Sequence, residues 1–207
     1  MIISGIDEAG RGPVLSSLVI AIASISAEKE PELTKLGITD SKKLSAQKRE
    51  ELFPKIQKMC NYKITEITAS ELNKRMWRES LNVIEAKEMG KLAGEFEGRV
   101  YIDLPEKNAQ KFIEKARLGN RDVIAEHKAD YNYPIVGAAS ILAKVTRDRL
   151  ISKLAERIGE KIGSGYTSDE RTINAVKNPE IRAKLKGEIR TRWSTMERIL
   201  QPKLTDF

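Results

Sequence analysis

Ile2-Ile3-Ser4-Gly5-Ile6-Asp7-Glu8-Ala9-Gly10-Arg11-Gly12-Pro13 begins with an apolar run that ends on two adjacent acids and a glycine-rich turn. Ile2 to Ile6 reads as a short buried strand, broken by Ala9 to Pro13, and Val14 to Ile25 reads as a second strand enriched in β-branched residues. Asp7 and Glu8 stand where the apolar strand stops. Burying two neighbouring negative charges there is costly unless a cation or hydrogen-bond donors compensate. Successive strand side chains point to opposite faces, so both acids reach one ion only if the strand ends or twists at this point, which Ala9 and Gly10 permit.

Downstream of this pair, Glu28 to Lys43 is polar and reads as a loop, and Ser45 is a suitable N-cap for a helix running to Met59 with Leu52, Ile56 and Met59 on one face. Tyr62 to Ile67 alternates polar and apolar residues at period two, as a half-buried strand does. Leu81, Ile84, Met89 and Leu92 follow helical spacing, Val100 to Asp103 forms a strand stopped by Leu104-Pro105, a helix covers Glu106 to Arg117, and a strand covers Asp122 to His127. Ala138, Ile141, Leu142, Val145, Leu154 and Ile158 mark the longest helix. Five strands mixed with helices predict an α/β fold, one mixed sheet flanked by helices. A glycine-rich change of composition near Gly159 to Gly165 predicts a boundary at about residue 160, with a small basic helical region over 161–200 and a tail over 201–207.

Composition narrows the class. The 207 residues are 40% apolar and 32% charged, as in a folded globular protein. The longest apolar run, Val14 to Ile25, is interrupted by Ser16, Ser17 and Ser24 and falls short of the roughly 18 to 20 residues that span a bilayer, so no membrane association is expected. The N-terminal stretch lacks the pattern of a secretory signal, and Cys60 as the sole cysteine excludes an internal disulfide or a cysteine-based zinc site, which together predict a cytoplasmic protein. Residues 1–140 carry 22 Lys+Arg against 21 Asp+Glu, whereas residues 141–207 carry 15 against 9. Either the basic C-terminal third meets a polyanion such as nucleic acid, or the protein is simply basic.

Asp103 repeats the placing of Asp7, being the last residue of an apolar strand, where open α/β sheets gather their site residues. Asp130 follows shortly after the strand that ends at His127. Any one of these acids alone reads equally as a solvated carboxylate or a helix cap. Asp7, Glu8, Asp103 and Asp130 together, at the ends of three strands, offer hard oxygen ligands of the kind that Mg²⁺ or Mn²⁺ prefers. His127 is the only histidine, which rules out a paired-histidine acid and base mechanism within one chain; it is either structural or a helper beside the acids. Ser140, Lys144, Arg147 and Asp148 form a polar stripe on the long helix, either facing phosphates or lying on a solvated face with a Lys144 to Asp148 pair.

Asp7-Glu8-Ala9-Gly10-Arg11-Gly12-Pro13 resembles the N-terminal signature of the ribonuclease HII family, the type-2 RNases H. Further blocks match in order: Asp40 to Ser45, Glu126-His127-Lys128-Ala129-Asp130 with Tyr133-Pro134, Ala138 to Asp148, and Gly163 to Asp169. The style is closest to archaeal members. The resemblance implies an RNase H-like five-stranded sheet with an added C-terminal helical region, and a catalytic and metal-binding set at Asp7, Glu8, Asp103 and Asp130. It implies an endoribonuclease that hydrolyses the RNA strand of RNA/DNA hybrids and cuts at single ribonucleotides in duplex DNA, leaving 3′-hydroxyl and 5′-phosphate ends. Catalysis would use two divalent ions, Mg²⁺ or Mn²⁺, about 3.5 to 4 Å apart.

By the same resemblance, Gly10, Arg11 and Gly12 contact the ribose 2′-hydroxyl, Tyr166 stacks at the RNA to DNA junction, and Ser41 and Lys42 contact backbone phosphates, as Lys144 and Arg147 would if their stripe faces the substrate. Ser16 and Ser17 depart from the family, whose members often have Gly and Pro there, which bears on where the second strand begins. Gln201-Pro202-Lys203-Leu204-Thr205-Asp206-Phe207 is similar to the box by which replication proteins bind a sliding clamp, with Gln201, Leu204 and Phe207 as contacts, although the second aromatic is missing and a plain tail is the alternative. A monomer is the default. The rivals are another metal nuclease of the same superfamily, such as a junction resolvase, and a non-catalytic hybrid-binding protein.

Overall fold

The computed structural model describes residues 1–38 and 44–200. In chain order it contains β1 (Ile2–Ala9), β2 (Leu18–Ser26), a 3-10 turn (Ala27–Lys29), α1 (Glu30–Lys35), α2 (Ala46–Met59), β3 (Asn61–Ile67), α3 (Ala69–Arg75), α4 (Leu81–Gly94), β4 (Arg99–Asp103), α5 (Ala109–Ala116), β5 (Val123–Glu126), α6 (Ala129–Asn132), α7 (Pro134–Ile158), α8 (Glu170–Lys177), α9 (Pro179–Lys184) and α10 (Ser194–Leu200). No helix among the described residues is long and apolar enough to cross a membrane. The chain divides into two compact units, one made of 1–9, 19–66 and 79–146, the other of 10–18, 67–78 and 147–207.

The first unit holds the five-stranded sheet, in the order β3-β2-β1-β4-β5. β1 runs antiparallel to β2 and parallel to β4, and β4 runs parallel to β5, so the sheet is mixed as expected and flanked by helices. The parallel trio matters most, because it brings the C-terminal ends of β1, β4 and β5 to one edge. β1 can be buried because Gly5 lets α7 lie directly on it. A Cβ at Gly5 would stand 2.5 Å from the backbone of Ile135 and Val136, a separation that real Cβ atoms do not show. Ser45 caps α2 as its spacing predicts, its hydroxyl accepting the amide of Lys48 at 3.1 Å.

Three local expectations are corrected. The polar stretch from Glu28 is not all loop: Pro31 in the first turn starts α1, and Leu33 on it is buried. α3 lies in a stretch whose pattern gave no helix, and the Thr68 hydroxyl caps it by accepting the Glu71 amide at 3.2 Å. The second strand begins at Leu18 rather than Val14. Ser16 takes a left-handed φ of 70°, which interrupts the apolar run at the position where the family often has glycine.

Val14 and Leu15 instead join the core of the second unit, with Ile151, Leu154, Ile162, Val176, Leu185, Ile189 and Met196. The Val14 amide donates to Gly165 O at 2.8 Å, the Arg190 amide donates to Val14 O at 2.8 Å, and Leu15 forms an antiparallel bridge with Ile189. The buried Arg190 guanidinium donates to the carbonyl of Ser16 at 2.8 Å and to that of Arg11 at 3.3 Å, which holds the turn after β1 in place. This unit carries 18 Lys+Arg against 10 Asp+Glu, while the first carries 19 against 20, so the excess positive charge belongs to it.

Candidate active site

Asp7, Asp103 and Asp130 each present a carboxylate oxygen within 4.8 Å of the other two. Asp7 is the sixth residue of β1, paired with Ala21, Asp103 ends β4, and Asp130 lies in α6, four residues past the end of β5. The parallel order of these strands is what lets residues 27 and 96 positions apart in the chain meet. The turn before α6 depends on Lys128, which takes a left-handed φ of 63°, and on Asp103, whose Oδ1 accepts the amide of Ala129 at 3.0 Å. His127 belongs to the same turn: its Nδ1 lies 3.1 Å from Leu104 O, an arrangement in which the ring N–H donates and ties β4 to the end of β5.

Burial is the main reason that the Asp7 carboxyl is raised from its ordinary value of 3.8 to about 7, with the negative charge of Asp103 adding to it. A hydrogen bond from Ser140, the charge of Lys144 and the amide of Glu8, which donates to Asp7 Oδ1 at 2.7 Å, all favour the ionised form. Ser140 is fully buried on α7 and accepts from Lys144 Nζ at 2.7 Å, so Lys144, Ser140 and Asp7 form a chain of donors ending on the carboxylate. The spacing of Ser140 and Lys144 was visible as a polar stripe; the direction of Ser140 toward Asp7 was not. Glu8, the next residue on β1, is half buried, with Oε2 enclosed, and is not one of the three acids in mutual reach. β1 stays in register with β2 through Glu8 and Ala9.

A buried carboxyl pushed up by a second carboxylate marks a site with excess negative charge. Three hard oxygen donors, with no sulfur or imidazole among them, fit a divalent cation of the hard class.

In the second unit, Gly10 has a φ of 86°, and a Cβ there would come 2.7 Å from Ser17 O, so only glycine fits the turn. Gly12 faces the ring of Tyr166 at 3.6 Å, measured from where its Cβ would be. The Arg147 guanidinium lies over the same ring at 4.8 Å, donates to Ser164 O and pairs with Asp148 at 3.2 Å. Arg147 is only 5% exposed, as Ser140 is buried, so the solvated-face reading of this stripe is wrong for both. The 147–158 part of α7 packs in this unit, where the sequence pattern alone treated the whole helix as one amphipathic element. Ser41, Lys42, Gln201, Leu204 and Phe207 lie outside the described residues.

Residues 4–196 match the family model for ribonuclease HII. The chain belongs to the ribonuclease HII family. It is 45% identical to the ribonuclease HII of Methanococcus maripaludis strain C5 over an alignment of 210 positions, gaps included, covering 97% of this chain and 87% of the relative. It superimposes on the ribonuclease H2 of Pyrococcus horikoshii with a TM-score of 0.85 at 37% identity, covering 97% of each chain. A ribonuclease HII of Archaeoglobus fulgidus solved as a complex with PCNA gives the same TM-score of 0.85 at 39% identity, covering 99% of this chain and 100% of that one. The protein is therefore an RNase H-like hydrolase of type 2, and the signature at Asp7 to Pro13 was a sound guide to its family.

Proposed function

We propose that this ribonuclease HII hydrolyses the RNA strand of RNA/DNA hybrids and also cuts at single ribonucleotides in duplex DNA, leaving 3′-hydroxyl and 5′-phosphate ends. The observation that carries the reading is the meeting of Asp7, Asp103 and Asp130 at one sheet edge, in a chain of this family. These three, with Glu8, are the catalytic and metal-holding residues, and the metal is Mg²⁺ or Mn²⁺ as a pair. When bound, the ions supply charge neutralisation at phosphorus and a water acidic enough to act as nucleophile near neutral pH. The chain's own residues prepare that site. Ser140 and Lys144 offset part of the burial that raises Asp7 and orient its carboxylate, and Asp103 holds the turn that carries Asp130.

Gly10, Arg11 and Gly12 are assigned to the ribose 2′-hydroxyl through the main chain, which can approach closely where side chains are absent. Tyr166 is assigned to stacking at the RNA to DNA junction. Arg147, enclosed beneath its ring, serves by holding that tyrosine rather than by meeting solvent-exposed phosphates. Ser41 and Lys42 are assigned to backbone phosphates. The partner beyond nucleic acid is a PCNA-type sliding clamp, bound through Gln201, Leu204 and Phe207; support comes from the Archaeoglobus fulgidus relative found with PCNA. The protein is proposed to work as a cytoplasmic monomer, with 1–160 as the catalytic domain and 161–200 as the substrate-binding region.

The test is a duplex with one embedded ribonucleotide, incubated with parent and Asp130→Asn protein, with and without Mg²⁺. Scission by the parent alone and only with metal, with 5′-phosphate at the new end, is the expected result. Cutting of an all-DNA duplex, or cutting in EDTA, overturns it. For the clamp, deletion of residues 201–207 abolishes capture by an archaeal PCNA while hybrid cleavage persists; unchanged capture defeats that assignment.

A further inference from the structure

Trp77 is 72% exposed, more than any other large apolar side chain among the described residues, although an indole of this size is costly to leave in water. It is not loosely held. The guanidinium of Arg192 covers one face of the ring at 3.6 Å from its centroid, which sets the plane of the indole and leaves the opposite face open. Both residues belong to the second unit, the one with the positive excess of 18 Lys+Arg over 10 Asp+Glu. Lys74 and Arg78 flank Trp77 in sequence, are exposed, and have no acidic partner among the described residues.

An open groove of about 410 Å³ in the same unit is lined by Asn73, Arg182, Lys186, Ile189 and Thr191 among others. Asn73 stands four positions before Trp77, and Thr191 precedes Arg192, so the groove and the covered indole share the same two segments. The Asn73 amide donates to Ile189 O at 2.7 Å, which directs its Oδ1 away from that carbonyl. That oxygen is enclosed and has no hydrogen-bond donor.

We infer that this face of the second unit binds an unpaired nucleic-acid strand, stacking a base on the free face of Trp77 and seating the neighbouring nucleotide in the groove. Every base offers a π-face to an aromatic platform. Lys186, Arg182, Lys74 and Arg78 supply the cations that a phosphodiester backbone requires. A protein partner would meet the same indole with apolar contacts, but a unit with 18 Lys+Arg against 10 Asp+Glu favours a polyanion. The inference goes beyond the cleavage reaction and rests on the nucleic-acid reading of the protein. It assigns a contact to strand that is not part of a duplex.

The experiment measures binding with metal chelated, so that its outcome is separate from cleavage. A labelled oligothymidylate, and a matching oligouridylate to compare DNA with RNA, is titrated by fluorescence anisotropy with the full chain and with Trp77→Ala, Trp77→Phe and Lys186→Ala in EDTA. Trp77→Ala weakens binding by about tenfold or more, Trp77→Phe retains most of it, and Lys186→Ala lowers the salt dependence by about one unit of slope. Quenching of the parent's tryptophan fluorescence accompanies binding. Because Trp77 is outside the core, circular dichroism of the variants is unchanged. Trp77→Ala binding both strands as tightly as the parent overturns the inference and leaves the indole to a protein partner. Failure of the parent to cut a hybrid in Mg²⁺ would count against the proposed activity, and leave this result standing.

Discussion

Asp103 Oδ1 accepts the main-chain amide of Ala129 at 3.0 Å, so the acid that closes β4 also anchors the turn that presents Asp130. Asp103→Asn keeps an oxygen at this point and removes the negative charge that helps to raise Asp7. Its metal-free form is therefore expected to melt at or above the parent's temperature. The increase in melting temperature caused by Mg²⁺ shrinks and hybrid cleavage drops by at least about 100-fold. Thermal melts in EDTA and in Mg²⁺, with a cleavage assay, check all three; a destabilised Asp103→Asn in EDTA would show that the repulsion argument is wrong.

Asp7 gives a pH dependence of known sign. Its folded value is raised from 3.8 to about 7, so between those limits the folded state holds a proton that the unfolded state has released. Its contribution to stability in the metal-free protein is therefore most favourable below about 4 and is lost as pH rises toward 7. The difference in melting temperature between parent and Asp7→Asn in EDTA isolates this group from the other carboxylates. The variant's advantage is expected to grow from pH 4.5 to 7.5, and a flat difference would contradict the shift. With divalent metal present the sign reverses, because metal competes with the proton.

Ser140→Ala removes the donor to Asp7 and the acceptor for Lys144 without adding volume. Loss of such an orienting partner typically lowers metal affinity or activity by about 10- to 100-fold. The acid limb of the pH–rate profile moves upward, since Asp7 loses a contact that favours its ionised form. Calorimetric titration with Mn²⁺ and rates over pH 5.5 to 9 test this. A profile unmoved on the pH axis would make Ser140 a packing residue only.

Gly5→Ala probes the contact on which the whole sheet edge depends. The added methyl meets the backbone of Ile135 and Val136 at 2.5 Å, and a main chain cannot yield as a flexible side chain does. Overpacking of this kind costs on the order of 1–3 kcal/mol or more. Chemical denaturation should show that loss with little change in the slope, and Gly37→Ala serves as a control of different kind, strained by its φ of 80° but with nothing within 4 Å.

Residue pattern alone was enough to recognise the strands at Ile2–Ile6, Tyr62–Ile67, Val100–Asp103 and Asp122–His127, the Ser45 cap and the long helix, because each depends on contacts within a few residues. The acids stood out for the same local reason: Asp7 and Asp103 each follow an apolar run, where a buried charge is costly without a partner. Local pattern failed at Val14–Ser17. Those residues are as apolar as a strand requires, but Ser16 turns the chain and Val14 and Leu15 are buried by residues more than 130 positions away.

The amino-acid sequence by itself determined the family, the mixed α/β class and a set of four candidate acids, three of which meet, since turn chemistry, hydrophobic period and motif order are written in neighbouring residues. Only the tertiary structure decided that Ser140 and Lys144 bear on Asp7, that Asp103 holds the turn of Asp130, that Arg147 is enclosed beneath Tyr166, and that Trp77 stays exposed under Arg192. These relations join segments far apart in the chain. Their energies come from desolvation and donor geometry, which exist only once strand order and helix packing have brought the groups within reach.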